Sequence, residues 1–308
     1  MNITAERFGS NAGVFRLHVR PGRDSSLMTE TFAYCLKQGI LGVGWRTLSN
    51  TNTKDWGTYY TEANNIHDDL RICEYIKSRI SEGCLVWTRD TQSNYYLARV
   101  LSGWEYFTTE ESLSRNIDIG NVFRVAFKKL SADEVPGKVV ASFRARRTLQ
   151  AIADPTAIAY SKFLWNQKAG NEVYAIDEDV FRTPDIFSLL DSEEVEDIIF
   201  LYLQSKGWFV VPNSRKADTL AFEYFVVRPQ DGSKAHVQIK TGGVKLNRDL
   251  YRNLSFPVIL FQSSDLYLGE PSTNVTCLSR AEIENFLRVS AHWLPARYQH
   301  KMTMLQGR

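Results

Sequence analysis

The chain has 308 residues, of which 44% are hydrophobic and 23% are charged, and its formal net charge is +2. This length suffices for two domains of about 150 residues each, and the composition excludes disordered, collagen-like and coiled-coil proteins. The near balance of 37 basic and 35 acidic residues excludes a histone-like binder, so nucleic-acid contact would need local basic patches.

No apolar run approaches the roughly 18 residues of a membrane span, and MNITAERFGS lacks the basic start and apolar stretch of a secretory signal. We therefore expect a soluble cytoplasmic protein without membrane contact. The four cysteines, Cys35, Cys73, Cys84 and Cys277, show no CxxC spacing. This argues against a zinc site or a disulfide framework, and we expect reduced thiols in the core.

Short β-like segments separated by polar turns dominate residues 14–143, and apolar residues have helical spacing at residues 29–38 and 66–81. This pattern predicts a small barrel-like β domain with one or two flanking helices. The pattern changes near residue 150, so we place the first domain at residues 1–152 and a linker at residues 153–190. The error of that boundary is about ten residues.

Residues 191–308 show a different order of elements. A helix with an acidic first turn begins at an Asp191–Glu194 capping box and ends at Gly207. Two strands follow, joined through a hairpin signal at Asp231 and Gly232. The buried-looking strand FPVILFQ and the capped helix SRAEIENFLRV complete the order. We predict a second, α/β domain, and hence a two-domain protein of mixed α/β and α+β class.

Four polar residues of this second domain form a candidate catalytic site: Glu196 on the first helix, Asp218 at the start of the hairpin, and Gln238 with Lys240 on its second strand. Residues two apart in a strand share a face, so Gln238 and Lys240 project together. Asp218, the side-chain oxygen of Gln238 and the backbone carbonyl of Ile239 would supply oxygen ligands for Mg²⁺. Lys240 would orient or help deprotonate the attacking water during phosphodiester hydrolysis.

This arrangement resembles the PD-(D/E)xK nuclease superfamily, and within it the Mrr-like restriction endonucleases, over residues 191–289. The matching stretches are VEDIIFLYLQSKGWFVV, the Ala217–Asp218 pair and VQIKTGG. The resemblance implies a restriction-endonuclease-like α/β core and a Mg²⁺ cofactor, with Mn²⁺ as a substitute. It also supports Glu196, Asp218, Gln238 and Lys240 as the catalytic set.

Two alternatives stay open for this site. Glu223 lies closer to Gln238 in the sequence than Asp218 does, and it becomes the acidic ligand if the strand register differs. A D…QxK pattern also occurs by chance in many proteins, with the lysine only a solvated strand residue. Downstream, Lys245 and Arg248 form a candidate phosphate clamp, although an ordinary solvated loop has the same composition.

The first domain is rich in aromatic residues with basic neighbours, and at least half of these aromatic residues should fill the core. The runs GILGVGW and GCLVWTRDTQSNYYLARVLSGWEY resemble the PUA-like superfamily that includes the EVE domains. That resemblance implies a pocket for a flipped modified base. We expect Trp45, Trp87 and Tyr96 to line this pocket and Asp90 to contact a base edge. Residues expected to contact phosphates are Arg144, Arg146 and Arg147.

Together, the two resemblances predict a modification-dependent restriction endonuclease that cuts double-stranded DNA carrying modified bases, acting as a homodimer. A nuclease fold without activity that only binds nucleic acid is one alternative. An RNA-directed nuclease is another, because PUA-like domains also bind RNA.

Overall fold

The structure is a computed structural model that describes residues 12–20, 25–49, 52–177, 185–212 and 222–306. Helices and strands form two compact units, Met1–Val180 and Phe181–Arg308. The predicted fold class is thus confirmed at the level of a mixed α/β protein with two units. Among the described helices, none combines the length and the apolar character needed to span a membrane.

The first unit is built on an eight-stranded sheet. Its strands are β1 (Val14–Leu17), β2 (Ile40–Val43), β3 (Thr53–Lys54), β4 (Leu85–Arg89), β5 (Tyr95–Val100), β6 (Glu105–Phe107), β7 (Asn121–Leu130) and β8 (Leu149–Ala151). Their order is β3-β6-β7-β5-β4-β1-β8, with β2 also paired to β7. The described helices of this unit are α1 (Met28–Gln38), α2 (Trp56–Asn64), α3 (Arg71–Arg79), α4 (Glu110–Ser114), α5 (Gly137–Ser142) and α6 (Pro155–Ala169).

Both neighbours of β1 lie far away in the sequence. This strand pairs in parallel with residues 85–87 of β4 and antiparallel with residues 149–151 of β8. All four of its residues are buried. Strand β1 therefore joins the sheet through pairs that are non-local in the sequence.

The first unit extends beyond residue 152 through α6. Pro155 occupies the first turn of this helix and Asp154 caps it, accepting a hydrogen bond from the Ala157 N–H at 2.9 Å. Proline suits the first helical position because no N–H is needed there. Ser161 on α6 accepts a hydrogen bond from the Trp87 indole at 2.9 Å. Part of the expected linker, residues 153–190, is thus packed against β4.

The second unit contains a five-stranded sheet with the order β15-β13-β11-β10-β9 and a separate β12-β14 pair. Its strands are β9 (Phe209–Val210), β10 (Tyr224–Arg228), β11 (Ser233–Lys240), β12 (Leu246–Asn247), β13 (Val258–Gln262), β14 (Tyr267–Leu268) and β15 (Val275–Leu278). Its described helices are α7 (Ile186–Leu189), α8 (Ser192–Ser205), α9 (Arg280–Ser290) and α10 (Ala296–Gln306).

Local sequence signals set several boundaries in the second unit. The Asp191–Glu194 capping box begins α8, and Gly207 follows the helix with a φ of +82°. The Asp231–Gly232 turn joins β10 and β11 into the predicted antiparallel hairpin, and Ser279 caps α9. These predictions are confirmed.

The two faces of the five-stranded sheet have different surroundings. Val237 and Ile239 of β11 belong to the main core, together with residues of α8 and α9. The opposite face carries a smaller apolar cluster that includes Leu246 and Leu260. The candidate site lies on this second face.

A buried ion pair links α10 to the start of α8. The Lys301 ammonium contacts the Glu194 carboxylate, and both side chains are fully buried. The Tyr298 hydroxyl, on the same helix, donates to the Glu194 carbonyl at 3.4 Å. The capping residue of α8 is therefore held in place by α10.

Candidate active site and aromatic pocket

The register of the β10–β11 hairpin decides which side chains meet on the sheet of the second unit. Tyr224 pairs with Val237, and the Glu223 N–H donates to the Val237 carbonyl at 2.8 Å, so Glu223 lies opposite Gln238. Gln238 and Lys240 share a face because side chains alternate along β11. The prediction that these two project together is confirmed.

Glu223 contacts both of them. Its Oε1 accepts a hydrogen bond from Gln238 Nε2 at 3.1 Å and lies 3.4 Å from Lys240 Nζ. The side chains of Lys240 and Glu223 are 36% and 25% exposed, so the cluster is open to solvent on one side. Carboxylate, amide and ammonium thus form one contact group at the surface end of β11.

Gln238 carries an unsatisfied oxygen at the base of this group. The residue is 1% exposed, and its Oε1 has no hydrogen-bond partner. Its Nε2 is shared between Glu223 and the Ile239 carbonyl, the latter at 3.4 Å. A buried polar atom without a hydrogen-bond partner costs about 1–3 kcal/mol. The Gln238 oxygen can therefore still accept a hydrogen bond or bind a cation.

The donor set here fits a hard divalent cation. Glu223, the Gln238 amide oxygen and the Ile239 carbonyl are all oxygen donors, which Mg²⁺ prefers. Gln238 turns its Nε2 towards the other two, so a cation shared by all three oxygens requires the amide to turn over. Among the described residues, no group of three or more histidine, cysteine or acidic side chains could hold a metal. Any metal site on β11 therefore needs the amide and backbone oxygens as well as the carboxylate.

The other two predicted catalytic residues have different positions. Asp218 lies outside the described residues. Glu196 lies on α8, and its Oε2 accepts a hydrogen bond from the Tyr224 hydroxyl at 3.2 Å. Tyr224 belongs to the main core, on the sheet face opposite Gln238 and Lys240. The described contacts thus bring Glu223, rather than Glu196, beside the QxK pair.

Aromatic residues border the Glu223 cluster on its own face of the sheet. His236 stacks on Phe222 with 4.2 Å between ring centroids, and Tyr251 lies 6.0 Å from Phe222. Burial lowers the pKa of His236. Burial and then the negative charge of Glu223 raise the pKa of Tyr251, so Tyr251 keeps its proton beside the carboxylate. This border is neutral at physiological pH.

The two predicted phosphate-clamp residues differ in the contacts that their side chains make within the protein. Arg248 is engaged inside the unit: its guanidinium donates to the Gly269 carbonyl at 2.9 Å and lies over the Tyr267 ring. Lys245 is exposed and makes no hydrogen bond or ion pair within the described part of the chain. Of these two residues, Lys245 is the one whose side chain is not already held by contacts within the described part of the chain.

Three of the four predicted base-pocket residues of the first unit have structural roles. Trp87 is completely buried, and Tyr96 packs among core rings such as Phe32. Asp90 accepts hydrogen bonds from the Gln92 and Asn94 backbone N–H groups at 2.9 and 2.8 Å and so closes the β4–β5 turn. None of these three lines the cavity that Trp45 borders.

Trp45 itself borders a cavity of about 590 Å³. The lining residues are Trp45, Asp69, Arg71, Ile72, Tyr75, Arg147, Thr148 and Leu149. Two aromatic side chains, an exposed Asp69–Arg71 pair and Arg147 therefore surround one space of the size that small ligands occupy. The sequence did not indicate Asp69 or Tyr75 as pocket residues, because no local motif marks that Asp69, just before α3, and Tyr75, on α3, face a cavity.

The backbone of Trp45 is strained and firmly held. Its φ is +59°, a left-handed conformation that costs a non-glycine residue about 1–3 kcal/mol. The Trp45 carbonyl accepts hydrogen bonds from the Tyr59 hydroxyl at 3.1 Å and from Asn121 Nδ2 at 3.4 Å. His67 contacts the next carbonyl, that of Arg46, at 2.8 Å. The backbone that carries the Trp45 ring is thus held in place, and the ring itself packs partly against the core.

A group of basic residues, here called the arginine cluster, adjoins this cavity through Arg147. Its members are Arg16, Arg20, Arg89, Arg146 and Arg147. From β1, Arg16 donates to the Arg147 carbonyl, and Arg20 donates to the Arg146 carbonyl at 3.1 Å. The carbonyls of residues 146–147 are therefore held by Arg16 of β1 and by Arg20 shortly after that strand, while the side chains of these two residues are exposed.

The charges of the arginine cluster are not neutralised within the described residues, where none of its members forms an ion pair. Burial, followed by the charges of Arg20, Arg89 and Arg147, lowers the pKa of Arg16 to about 10. Such mutual repulsion is relieved when an anion binds. Arg144 is also exposed and lies in the same segment.

Comparisons with known proteins provide little further guidance. No protein-family model and no curated protein matches the chain. Among solved structures, the chain aligns with "DNA modification-dependent restriction endonuclease AspBHI" at 13% identity, covering 87% of this chain and 79% of that chain. The TM-score of 0.22 is too low to carry an argument about fold or activity.

Proposed function

We propose that the protein is a Mg²⁺-dependent endonuclease that recognises modified bases in double-stranded DNA, with Mn²⁺ as a substitute cation. The observation that carries the nuclease assignment is the convergence of Glu223, Gln238 and Lys240, with the unsatisfied Gln238 oxygen at its base. Glu196 and Asp218 stay proposed members of the catalytic set.

The chemistry follows from the donor types. Glu223, the Gln238 amide oxygen and the Ile239 carbonyl would hold the cation, and Asp218 remains the alternative acidic ligand. A bound Mg²⁺ supplies Lewis-acid polarisation of the phosphate. Lys240 orients the attacking water, and its ammonium offsets the negative charge that develops on the phosphate oxygens. Glu223 accepts a hydrogen bond from Lys240 and so fixes the direction of the ammonium.

Cleavage assays with single variants test this site. We expect Glu223→Gln and Lys240→Ala to abolish Mg²⁺-dependent cleavage of duplex DNA and to leave DNA binding intact. Lys234→Ala is the matched control, because Lys234 is an exposed lysine on the same strand and face, at its other end. Asp218→Ala, measured in parallel, decides which carboxylate is the acidic ligand.

The substrate panel separates the alternatives. Duplexes with and without modified bases and matched RNA are offered to the wild-type protein, and Mg²⁺ and Mn²⁺ binding is measured by calorimetry. Saturable metal binding with cleavage of modified DNA alone supports the proposal. Cleavage at the wild-type rate by both Glu223→Gln and Lys240→Ala would remove the assigned site. Absence of any saturable metal site would leave a nucleic-acid-binding protein.

The proposed reader of the modified base is the cavity between Trp45 and Tyr75. Aromatic stacking contributes about 1–3 kcal/mol per base, and the Asp69–Arg71 pair offers an acceptor and a donor for base edges. Exposed Arg146 and Arg147 would contact the flanking phosphates. Support comes from the Trp45 backbone, which is held by hydrogen bonds to its carbonyl, because less conformational freedom is lost when a ring on an ordered backbone stacks on a base.

Binding measurements test the reader. Trp45→Ala and Tyr75→Ala should each weaken binding to modified duplex DNA by about five- to a hundredfold, the range that stacking energies allow. Trp293→Ala is the control, because Trp293 is a half-exposed tryptophan of the second unit. Wild-type affinity of Trp45→Ala and Tyr75→Ala for modified duplex DNA would contradict the base-reading role. Homodimerisation, which cutting of both strands would use, is checked by light scattering of the DNA complex.

A further inference from the structure

The strand that carries Lys240 continues into residues 241–245, here called the glycine loop. We propose that the glycine loop contacts the sugar–phosphate backbone of duplex DNA beside the phosphate that is cut. This inference rests on the proposed function and identifies how the same site meets its substrate.

The backbone of the glycine loop is fixed from beneath by β13. Gln262 is fully buried, and its Nε2 donates to the carbonyls of Gly242 at 2.7 Å and Val244 at 3.1 Å. Ser263 Oγ accepts from the Gly242 N–H at 3.1 Å. The oxygen of the Gln262 amide accepts two further backbone N–H groups. A completely satisfied buried amide thus holds the loop rigid.

Neither packing nor backbone conformation within the protein explains why position 243 is a glycine. Gly242 has a φ of +61°, which favours glycine, but the φ of Gly243 lies outside that left-handed region. A Cβ atom at Gly243 would meet no other atom within 4 Å. Neither backbone conformation nor packing therefore requires glycine here. A bare backbone facing open space allows close approach of a ligand, which a side chain would block.

The side chains next to this bare backbone suit a nucleic acid. Val244 is 54% exposed, and Lys245 is exposed without a partner in the described part of the chain. Lysine contacts phosphate, and exposed apolar side chains contact sugars and base edges in the minor groove. The backbone of duplex DNA fits the open space at Gly243, the exposed Val244 and the charge of Lys245 together.

A steric probe tests the contact. Gly243→Leu places a side chain in open space, so the thermal unfolding midpoint should not change. We expect it to weaken binding of duplex DNA, measured by fluorescence anisotropy in EDTA, by about tenfold or more. Lys245→Ala should reduce the slope of log affinity against log salt concentration by about 1. Gly103→Leu is the control, because a Cβ at Gly103 would make only an ordinary 3.8 Å contact and its φ is also not left-handed.

The possible outcomes separate this inference from the proposed function. Wild-type affinity and cleavage rate in Gly243→Leu would overturn the DNA contact and leave the nuclease assignment standing. Weakened binding by Gly243→Leu, together with no metal-dependent cleavage by the wild-type protein, would support the contact and remove the nuclease assignment. A lowered unfolding midpoint in Gly243→Leu would show that the position is structurally required, which also overturns the argument from open space.

Discussion

Gln238 decides the charge of the candidate site, because an amide stands where a carboxylate would add a second negative ligand. Its Nε2 lies 3.1 Å from Glu223 Oε1, so a carboxylate at this position would face another at close range. Two carboxylates at this distance repel each other unless a proton or a cation lies between them. The neutral amide therefore favours a stable metal-free protein at the expense of metal affinity.

We predict that Gln238→Glu lowers the unfolding midpoint without metal and increases the rise in that midpoint caused by Mg²⁺. The added carboxylate is destabilising alone and stabilising once it binds a cation, and ligand binding to the folded state raises stability. Differential scanning fluorimetry with and without Mg²⁺ measures both effects. Gln204→Glu, at an exposed position on α8, is the control. An unchanged Mg²⁺ response would contradict a cation site at Gln238.

His18, beside the arginine cluster, is held neutral. Burial, followed by the charges of Arg16 and Arg20, lowers its pKa to about 4 from 6.5. The unfolded chain therefore binds a proton between these values that the folded chain does not, and stability rises with pH in this window. The contribution of neutral His18 is complete above pH 6.5 and is lost as the pH falls towards 4.

We expect His18→Gln to flatten this pH dependence, because glutamine does not titrate and can still donate to the Ala145 carbonyl that His18 contacts. Urea denaturation at several pH values within the window measures the difference between variant and wild type. Identical pH profiles would show that His18 titrates normally in the folded protein.

At the scale of elements, α10 stabilises the second unit through the buried ion pair between its Lys301 and Glu194 of α8. Lys301 and Glu194 are both fully buried, and Glu194 also completes the capping box of α8. Removal of one partner leaves an unpaired buried charge, which costs about 3–5 kcal/mol, whereas replacement of both by apolar residues is often tolerated.

Lys301→Met should therefore destabilise the protein strongly, and Glu194→Leu with Lys301→Met should recover part of the loss despite removing the cap. Chemical denaturation of the single and double variants measures the coupling. The ion pair between Arg297 and Asp197, at 3.2 Å between the same two helices, provides a partly exposed comparison. Additive effects of the two substitutions would contradict a coupled buried pair.

Helices, strands and turns with strong local signals were predictable from the sequence. The burial and the contacts of side chains whose partners are distant in the sequence were not. The Asp231–Gly232 turn fixed the hairpin, so the shared face of Gln238 and Lys240 followed from alternation alone. The sequence alone does not decide between Asp218 and Glu223 as the acidic ligand, because the position of Glu223 opposite Gln238 depends on where β10 begins. The burial of Trp87 could not be predicted from nearby residues, because Ser161, which accepts a hydrogen bond from its indole, is 74 positions away. Alternation cannot show that β4 is covered on both faces.

At the scale of the whole molecule, a formal net charge of +2 conceals strong local charge. The arginine cluster concentrates positive charge on β1 and on the segment before β8, while many other cations are paired. Electrostatic binding of DNA depends on such local patches, because each phosphate contact releases condensed counterions.

We predict that Arg146→Ala and Arg147→Ala each reduce the slope of log affinity against log salt concentration by about 1. Arg115→Ala is the control, because Arg115 is paired with Glu30 at 2.9 Å and with Glu111 at 3.2 Å. Anisotropy titrations over a range of salt concentrations give the slopes. Equal slopes for all three variants and the wild type would exclude residues 146–147 from the DNA interface.

The pairing of β1 has a consequence for the order of folding during synthesis. Its partners are residues 85–87 and 149–151, and the Tyr174 hydroxyl donates to the Gly83 carbonyl at 2.7 Å. A ribosome must therefore release nearly the whole first unit before β1 gains both neighbours, and early nascent chains expose its apolar residues. Pulse proteolysis of stalled chains should show resistance only after residue 174 has left the exit tunnel.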